Sequence, residues 1–463
     1  MISLSQQILS GNKKVVEQIL KAGVDVDAID EYGYTPLIEC AIADNLEIAK
    51  LVLTHGANPN GKDVIGGTAL HWAVENANMT LVQLLLNKGA DPNASNNNGE
   101  PVLAKPILRE DTDLKQLLIE HGAKAQFATD YINTKLLGHY YELRGEVDIV
   151  TPKGEFTEVS LEGFFLEFSV GLLLKSLRDF RNNYAAKHLH AYFYEIDRIM
   201  QAIANAERLA HLQQYRVDRT QFQKELKQRL QEDLLILPIG CEGHATAIVI
   251  YNDMLVTIDR RKDGNRLNGI SIYSIGNHLA LNFELLNYLL YEKKQSVFLE
   301  KELHRILNLR LLAQMMIEPQ VSGNCSWANL EAVIPAALTL LREEWQTFEE
   351  GIVDYQHEAI QFYRIWREWN RRRALDFCVQ EFSGATIKRK AFIIAMLANI
   401  VFQRLDARKR ADVELAERLI PILQTPGFGY VLKSWRTYYY IQKKTTAGQN
   451  LQQLLRIAGV DEL

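Results

Sequence analysis

The sequence GGTALHWAVENANMTLVQLLLNKGADPN, residues 66–93, decides the fold of the amino-terminal quarter of the chain. It contains one member of each of two glycine series that repeat every 33 residues. The two series are Gly23, Gly56, Gly89 and Gly122, and Gly33, Gly66 and Gly99. Two series in register at one period indicate internal repeats, each of which buries its apolar face only against its neighbours. We therefore predict a helical solenoid of four repeats over residues 1–128.

The repeat also carries a short motif. The segments GYTPLIECA (33–41) and GGTALHWAV (66–74) resemble the T-P-L-H-x-A signature of ankyrin repeats. The resemblance covers residues 1–128 and weakens in the fourth repeat, where Pro101 and Pro106 replace the expected start. It implies an ankyrin α-solenoid whose last repeat is degenerate.

Ankyrin repeats bind protein partners through a concave face and finger tips, and this resemblance implies partner contacts at Asn60, Asn93 and Trp72. Asn60 and Asn93 also match the asparagine that host hydroxylases modify in ankyrin repeats. His71 stands at the signature histidine, whose side chain usually bonds neighbouring backbone, so we expect no catalytic or ligand role for it. An alternative is that the solenoid only braces the rest of the chain.

Charge is divided along the sequence. The formal net charge is -5, but residues 1–128 hold 10 Lys/Arg against 16 Asp/Glu, and residues 361–450 hold 17 against 7. Basic residues interleaved with aromatics in 361–450 are compatible with nucleic-acid binding, although no nucleic-acid motif accompanies them. We prefer the interpretation that the aromatics pack a helical cap and the arginines solvate it.

Composition argues against a membrane-spanning, disulfide-rich or zinc-binding protein. No apolar stretch approaches the length of a membrane span, and residues 1–14 lack the basic-then-apolar pattern of a signal peptide. Four cysteines in 463 residues form no disulfide framework and show no zinc spacing, which favours a reducing compartment. His188 and His190 fall on opposite sides of a helix and cannot share a metal. We predict no cofactor and no metal.

Beyond residue 128 the 33-residue period is lost. Residues 129–232 show helical periodicity and form a predicted connecting region, with a turn-rich break over 145–158 and long helices over 161–177 and 185–230. Residues 233–345 begin with short β-branched segments that predict strands and then continue as helices, at about 279–291 and 300–312. The predicted strands are Leu234–Ile239, His244–Tyr251, Met254–Asp259 and Ile270–Ile275. Residues 346–463 form a predicted helical carboxy-terminal cap, so the whole chain is of the α+β class.

Cys325 lies where a turn passes into an apolar helix. A helix N-terminus favours thiolate, which is the nucleophilic form of cysteine. A thiolate nucleophile needs a histidine base and a group that orients the histidine. His244 and Asp259, on two neighbouring predicted strands, provide that pair. Gln320, five residues before the cysteine, provides an oxyanion donor.

The order His244, Asp259, Gln320, Cys325 resembles that of the clan of ubiquitin-like-modifier proteases, the adenovirus protease and YopJ-type effectors. Papain-like enzymes have the same residue types with the cysteine first. The resemblance implies a papain-like or ubiquitin-like-protease-type cysteine protease domain with its core at 233–345, and with 129–232 as part of it. Ala245 departs from the clan, many members of which have Trp after the histidine.

Three alternatives remain open at this stage. Asp253 or Asp263 can replace Asp259 as the orienting group, and His278 is a second histidine, although a helix-cap role suits it better. Cys325 can be a buried structural thiol, since cysteine is among the most buried residue types. The fold can also retain the three residues and serve only for binding.

Ankyrin repeats joined to a cysteine-protease-like region and a helical cap resemble Legionella ankyrin-repeat effectors of the AnkH type. The resemblance implies type IV delivery into a host cell, with the host cytoplasm as the location and the nucleus as an alternative because of the basic clusters. The predicted function is host-protein binding coupled to thiol-dependent peptide or isopeptide hydrolysis or acyl transfer. The alternative is a non-catalytic host-protein scaffold, acting for example on nuclear or transcription complexes.

Overall fold

The structure is a computed structural model. It describes residues 4–97, 99–143, 146–150, 156–160, 166–214, 219–229, 231–261, 269–320, 325–342 and 351–460. The chain divides into two compact units, Met1–Asn133 and Thr134–Leu463, and the finer division into four segments stays a prediction. Within the described ranges, no helix is both long enough and apolar enough to cross a membrane.

The first unit consists of four consecutive pairs of short helices. The pairs are α1 (Leu4–Leu9) with α2 (Lys13–Lys21), α3 (Pro36–Ile42) with α4 (Leu46–Thr54), α5 (Ala69–Glu75) with α6 (Met79–Asn87), and α7 (Ala104–Leu108) with α8 (Thr112–Glu120). Their apolar faces share one continuous core from Ile8 to Ala128. No pair buries enough apolar surface alone, so stacking of neighbours stabilises the unit.

The boundaries of the second helix in each pair repeat with the period seen in the sequence. Each begins after a side chain that accepts a hydrogen bond from a backbone N–H three residues later; these caps are Asn12, Asn45, Asn78 and Asp111. Each ends before a glycine in the left-handed region, with φ of 82°, 93°, 88° and 97° at Gly23, Gly56, Gly89 and Gly122. Glycine adopts this conformation without the Cβ clash that other residues suffer. These glycines therefore allow the chain to turn at the end of each second helix.

The second unit begins within α9 (Ala125–Tyr140) and contains two antiparallel sheets. Strands β1 (Glu146–Val150) and β2 (Phe156–Ser160) form a hairpin. Five strands form a meander in chain order: β3 (Leu234–Cys241), β4 (His244–Tyr251), β5 (Met254–Asp259), β6 (Gly269–Ser274) and β7 (Arg310–Met315). The described α-helices between β2 and β3 in the chain are α10 (Leu166–Arg181), α11 (Phe193–Gln214) and α12 (Arg219–Arg229). Those between β6 and β7 are α13 (Phe283–Tyr291) and α14 (Leu303–Leu307).

Seven α-helices follow the sheet in the described part of the chain. They are α15 (Cys325–Glu331), α16 (Val333–Leu341), α17 (Gly351–Gly384), α18 (Ile387–Arg404), α19 (Arg410–Leu423), α20 (Tyr430–Trp435) and α21 (Thr446–Ile457). One face of the sheet packs with α10, α11, α15, α16 and α17, and the other packs with α13 and α14. A separate core joins the carboxy-terminal helices. The unit is therefore helix-rich around a small antiparallel sheet.

Three expectations about local structure are wrong. Residues 145–158 were expected to be a turn-rich break, but the described residues form the β1–β2 hairpin. One long helix was expected over 185–230, but a 3-10 segment (Tyr184–Tyr192) precedes α11. Residues 215–218, between α11 and α12, lie outside the described residues. A helix expected over 300–312 ends at Leu307, and β7 follows. The sequence of β7, RLLAQM, has good intrinsic helix formers, and pairing with β6 overrides that preference.

Candidate active site

His244 and Asp259 lie on the same face of two paired strands. The β4–β5 register pairs Ala247 with Ile258, which places His244 at the start of β4 diagonally opposite Asp259 at the end of β5. Their side chains approach to 3.5 Å between Nε2 and Oδ1. The two-residue turn between Tyr251 and Met254 sets this register, as the sequence predicts.

Cys325 is the first described residue of α15, and its half-buried side chain interacts with His244. Burial would raise the pKa of the Cys325 thiol, but the bond to His244 and backbone N–H groups of Ala245 and Ser326 outweigh it and lower the pKa. Burial would lower the pKa of His244, but the bonds to Asp259 and Cys325 raise it to about 9. Both shifts favour a thiolate–imidazolium pair.

Asp259 is held more closely by an arginine than by the histidine. Arg261 donates from Nε to Asp259 Oδ2 at 2.8 Å and from its backbone N–H to Oδ1 at 3.0 Å, and Arg261 also pairs with Glu300 at 3.0 Å. Burial would raise the pKa of Asp259, but His244 and Arg261 hold it well below its usual range. The carboxylate therefore stays ionised beside the imidazole.

Gln320 lies near the site, but its relation to the thiol falls partly on residues outside the described ranges. Its backbone N–H donates to the carbonyl of Arg260 at 2.8 Å, which ties it to the residue after Asp259. Its side-chain Oε1 is buried without a hydrogen-bond partner among the described residues. Residues 321–324, which join it to Cys325, are not described, so the oxyanion role stays a prediction.

Asn329 contacts the site and sequence reasoning missed it. It lies one turn after Cys325 on α15 and is fully buried. Its Nδ2 donates to the carbonyl of Ala245 at 2.7 Å and lies 3.5 Å from His244 Nε2, while its Oδ1 accepts from the backbone N–H of Arg260 at 2.9 Å. Its spacing of four residues from Cys325 was the only available indication.

A buried cluster of charges lies behind the site. Arg260, with no solvent exposure, pairs with Glu142 at 3.0 Å and with Glu331 at 2.9 Å. Arg367 pairs with the same two carboxylates at 2.6 and 3.1 Å. Tyr363 donates to Glu331 at 2.8 Å. This cluster connects the end of β5, α15 and α17, so a defect in it would reach all three elements.

The alternative acidic residue Asp253 and two other cysteines, Cys241 and Cys40, differ from Asp259 and Cys325 in position or in pKa. Asp253 lies in the β4–β5 turn at the other end of the strands, where its carboxylate is 3.9 Å from His278, and Asp263 falls outside the described residues. Burial raises the pKa of Cys241 and of Cys40. The pKa of the Cys325 thiol, in contrast, is lowered.

A cleft of about 410 Å³ opens beside His244 and Asp259. Its floor is the polar end of the sheet face that carries these two residues, and its lining includes Thr246, Thr257, Ser271, Gln314 and His304. Thr257 and Gln314 both face Ser271 in the strand register, which gives a row of hydroxyl and amide groups across β5, β6 and β7.

The ankyrin residues predicted to bind a partner make contacts within their own unit. Asn60 and Asn93 each donate to a backbone carbonyl 29 residues later and accept from a backbone N–H 31 residues later, at 2.7 to 2.9 Å. Trp72 donates to Asp63 at 3.1 Å. His71 accepts from the backbone N–H of Thr68 at 3.1 Å, as predicted. Partner binding at the other three residues stays a prediction.

Several aromatic and arginine side chains of the basic region, residues 361–450, make contacts within the chain. The aromatic side chains of Phe362, Tyr363, Trp366 and Trp435 are buried, so they offer no stacking surface for bases. Several of its arginines form ion pairs: Arg373–Asp179, Arg389–Glu381, Arg408–Asp406 and Arg418–Asp376. These contacts fit the helical-cap interpretation better than a nucleic-acid surface.

Comparison with known proteins shows the family to which the chain belongs. A family model for ankyrin repeats matches residues 4–96 as three copies. A search of curated proteins found no match. Among solved structures, the chain is similar to the Legionella effector AnkH at 40% identity and a TM-score of 0.80, with 99% of this chain and 98% of that chain covered. Identity at this level over the full length confirms the resemblance seen in the sequence. The chain belongs to the AnkH family of Legionella effectors.

Proposed function

We propose that this protein is an effector that acts inside a host cell, binds a host protein through its ankyrin repeats and modifies it at a Cys-His-Asp site. The cysteine-protease-like region would extend over residues 129–345, capped by 346–463. The observation that carries the proposal is the contact of His244 with both Asp259 and Cys325, together with the lowered pKa of the thiol. We place its action in the host cytoplasm, with the nucleus as the alternative.

The chemistry follows from these three residues. The Cys325 thiolate attacks the carbonyl carbon of a peptide or isopeptide bond, a C–S bond forms, and the carbonyl π electrons move to oxygen. When the intermediate collapses, the C–N bond breaks and the His244 imidazolium gives its proton to the leaving amine. His244 then takes a proton from water, or from an acceptor amine, which attacks the thioester and releases the thiolate. Asp259 keeps the imidazole charged and oriented.

The cleft beside His244 would receive the substrate segment. Its hydroxyl and amide lining supplies donors and acceptors for a main chain or for small polar side chains. The acidic ankyrin unit favours a host partner that is basic at its contact surface, because opposite charges speed association. Gln320 is assigned as the oxyanion donor, together with the backbone N–H of Cys325.

Labelling with an electrophilic activity probe for cysteine hydrolases tests the proposal. Full-length protein should be labelled at Cys325, as mapped by mass spectrometry, and Cys325→Ala should abolish labelling. Cys241→Ala is the matched control, because Cys241 is also partly exposed and lies near His244 in sequence, yet its pKa is raised. Labelling that persists in Cys325→Ala, or that never occurs, would contradict the catalytic proposal.

A second function is favoured by one observation. Asp259 makes shorter bonds to Arg261 than to His244, which lies 3.5 Å away, so the carboxylate is partly committed elsewhere. If these bonds keep Asp259 from orienting His244, the site does not turn over a substrate, and the protein is a scaffold that captures host proteins. Quantitative binding of host proteins with equal strength by the unmodified chain and by Cys325→Ala, combined with no probe labelling, would select the scaffold.

A further inference from the structure

Asn329 joins the three elements that carry the proposed reacting groups. Its Nδ2 bonds Ala245, the residue after His244, and its Oδ1 bonds Arg260, the residue after Asp259. In both bonds the side chain belongs to α15, whose first described residue is Cys325. One buried amide therefore fixes the backbone of β4 and of β5 against the helix that presents the thiol.

The bond to Ala245 has a partner one turn earlier on the same helix. The Ala245 N–H interacts favourably with the Cys325 thiolate and lowers the pKa of the thiol, and the Ala245 carbonyl accepts from Asn329. Residues four apart lie on one face of a helix, so α15 contacts this single residue of β4 through both ends of its backbone. Any slide or rotation of α15 relative to β4 would disturb both contacts and the alignment of thiol and imidazole.

We propose that Asn329 is a positioning residue that holds His244 in line with Cys325 and thereby sustains the reactive thiolate. The assignment rests on the proposed function and deepens it. Asn329 is fully buried, and its amide neither gains nor loses a proton in the proposed reaction. Its effect passes through the backbone of Ala245 and Arg260 to the two side chains that act on the thiol.

The test is the pH dependence of Cys325 alkylation by iodoacetamide in the full-length chain, followed by mass spectrometry of the peptide. Asn329→Ala should slow alkylation at pH 6 at least tenfold and change it less than twofold at pH 9.5, where an ordinary thiol also ionises. Asn370→Ala is the matched control. Asn370 is fully buried and hydrogen-bonded to Ser176 and Trp366, and it lies outside the site.

The outcomes separate this assignment from the proposed function. A wild-type Cys325 that reacts at pH 6, with the same rate in Asn329→Ala, overturns the positioning role and leaves the proposed function intact. A similar loss in Asn370→Ala, or faster Cys241 alkylation in Asn329→Ala, would mean general loosening and would also overturn it. A wild-type Cys325 with the profile of an ordinary thiol would end both proposals.

Discussion

The two units of the molecule achieve order in different ways. In the ankyrin unit the same contacts recur every 33 residues: an Asn or Asp cap, a left-handed glycine and an inter-repeat bond. In the second unit the decisive contacts occur once, between residues 69 to 85 positions apart, such as Asn329 with Arg260 and with His244. The repeated unit can lose one contact and keep the others, whereas the candidate site depends on each contact.

We expect the largest loss of stability when one of the buried charges of the second unit is removed. Arg260→Met would leave Glu142 and Glu331 short of a partner in the interior and should lower the free energy of unfolding of the second unit by about 3–5 kcal/mol. Hydrogen exchange, which reports on each unit separately, measures it. Arg372→Met removes an exposed ion pair with Glu368 and should cost under about 1 kcal/mol. Equal losses in the two variants would refute the distinction.

A glycine in the repeats should have an intermediate effect. Gly89 has φ of 88°, and a Cβ there would meet no atom within 4 Å, so any penalty comes from the backbone alone. Gly89→Val should destabilise the ankyrin unit by about 2 kcal/mol. Gly89→Asn should cost less than half as much, because Asn tolerates the left-handed region. Thermal unfolding of both variants measures this, and the same loss for both would argue against a backbone cause.

Removing the charge of Asp259 should alter the reactivity of Cys325 and leave the stability of the ankyrin repeats unchanged. Asp259→Asn removes a negative charge that raises the pKa of His244, so that pKa should fall by at least one unit. The alkylation rate of Cys325 at neutral pH should drop about tenfold, since one unit corresponds to about 1.4 kcal/mol. Asp253→Asn, at an exposed position in the β4–β5 turn, is the control. If the control slowed the thiol as much, the assignment of Asp259 would be lost.

The smallest effect is expected at a single helix cap. Asn78 accepts from the backbone N–H of Leu81 at 2.8 Å, and Asn78→Ala should cost the ankyrin unit about 1 kcal/mol. Asn78→Ser preserves an acceptor and should be nearly neutral. Urea unfolding gives both values. A loss above about 3 kcal/mol for Asn78→Ala would show that the repeats are no more tolerant than the candidate site.

These differences also explain what could be predicted from the sequence. The repeats were predictable because Gly23, Gly56, Gly89 and their caps are local features that recur. Strands β4 and β5 were predictable from their β-branched residues, and their turn then set His244 against Asp259. Strand β7 was not, because its residues favour helix and only pairing with β6 makes them a strand.

Asn329 and Arg260 were not predictable for another reason. Each makes bonds to backbone atoms or to carboxylates far along the chain. The four-residue spacing of Asn329 from Cys325 puts it on the same helix face but does not indicate its bonds to Ala245 and Arg260. A buried charge also contradicts the ordinary expectation that arginine is exposed. The order of His244, Asp259 and Cys325 was visible, whereas the buried groups that hold them required the folded structure.

Titration of the His244 ring by NMR in the full-length chain tests the central claim most directly, with His244→Gln identifying its resonances among the 11 histidines. A pKa raised above the ordinary 6.5 means that the folded chain keeps His244 charged at neutral pH, and that the stability this charge contributes is full below about 6.5 and is lost as the pH rises through about 9. We predict that His244 is protonated at pH 7.5 and titrates near 9, and that Cys325→Ala lowers this value. A ring that titrates at or below 6.5 in the unmodified chain would contradict the thiolate–imidazolium pair.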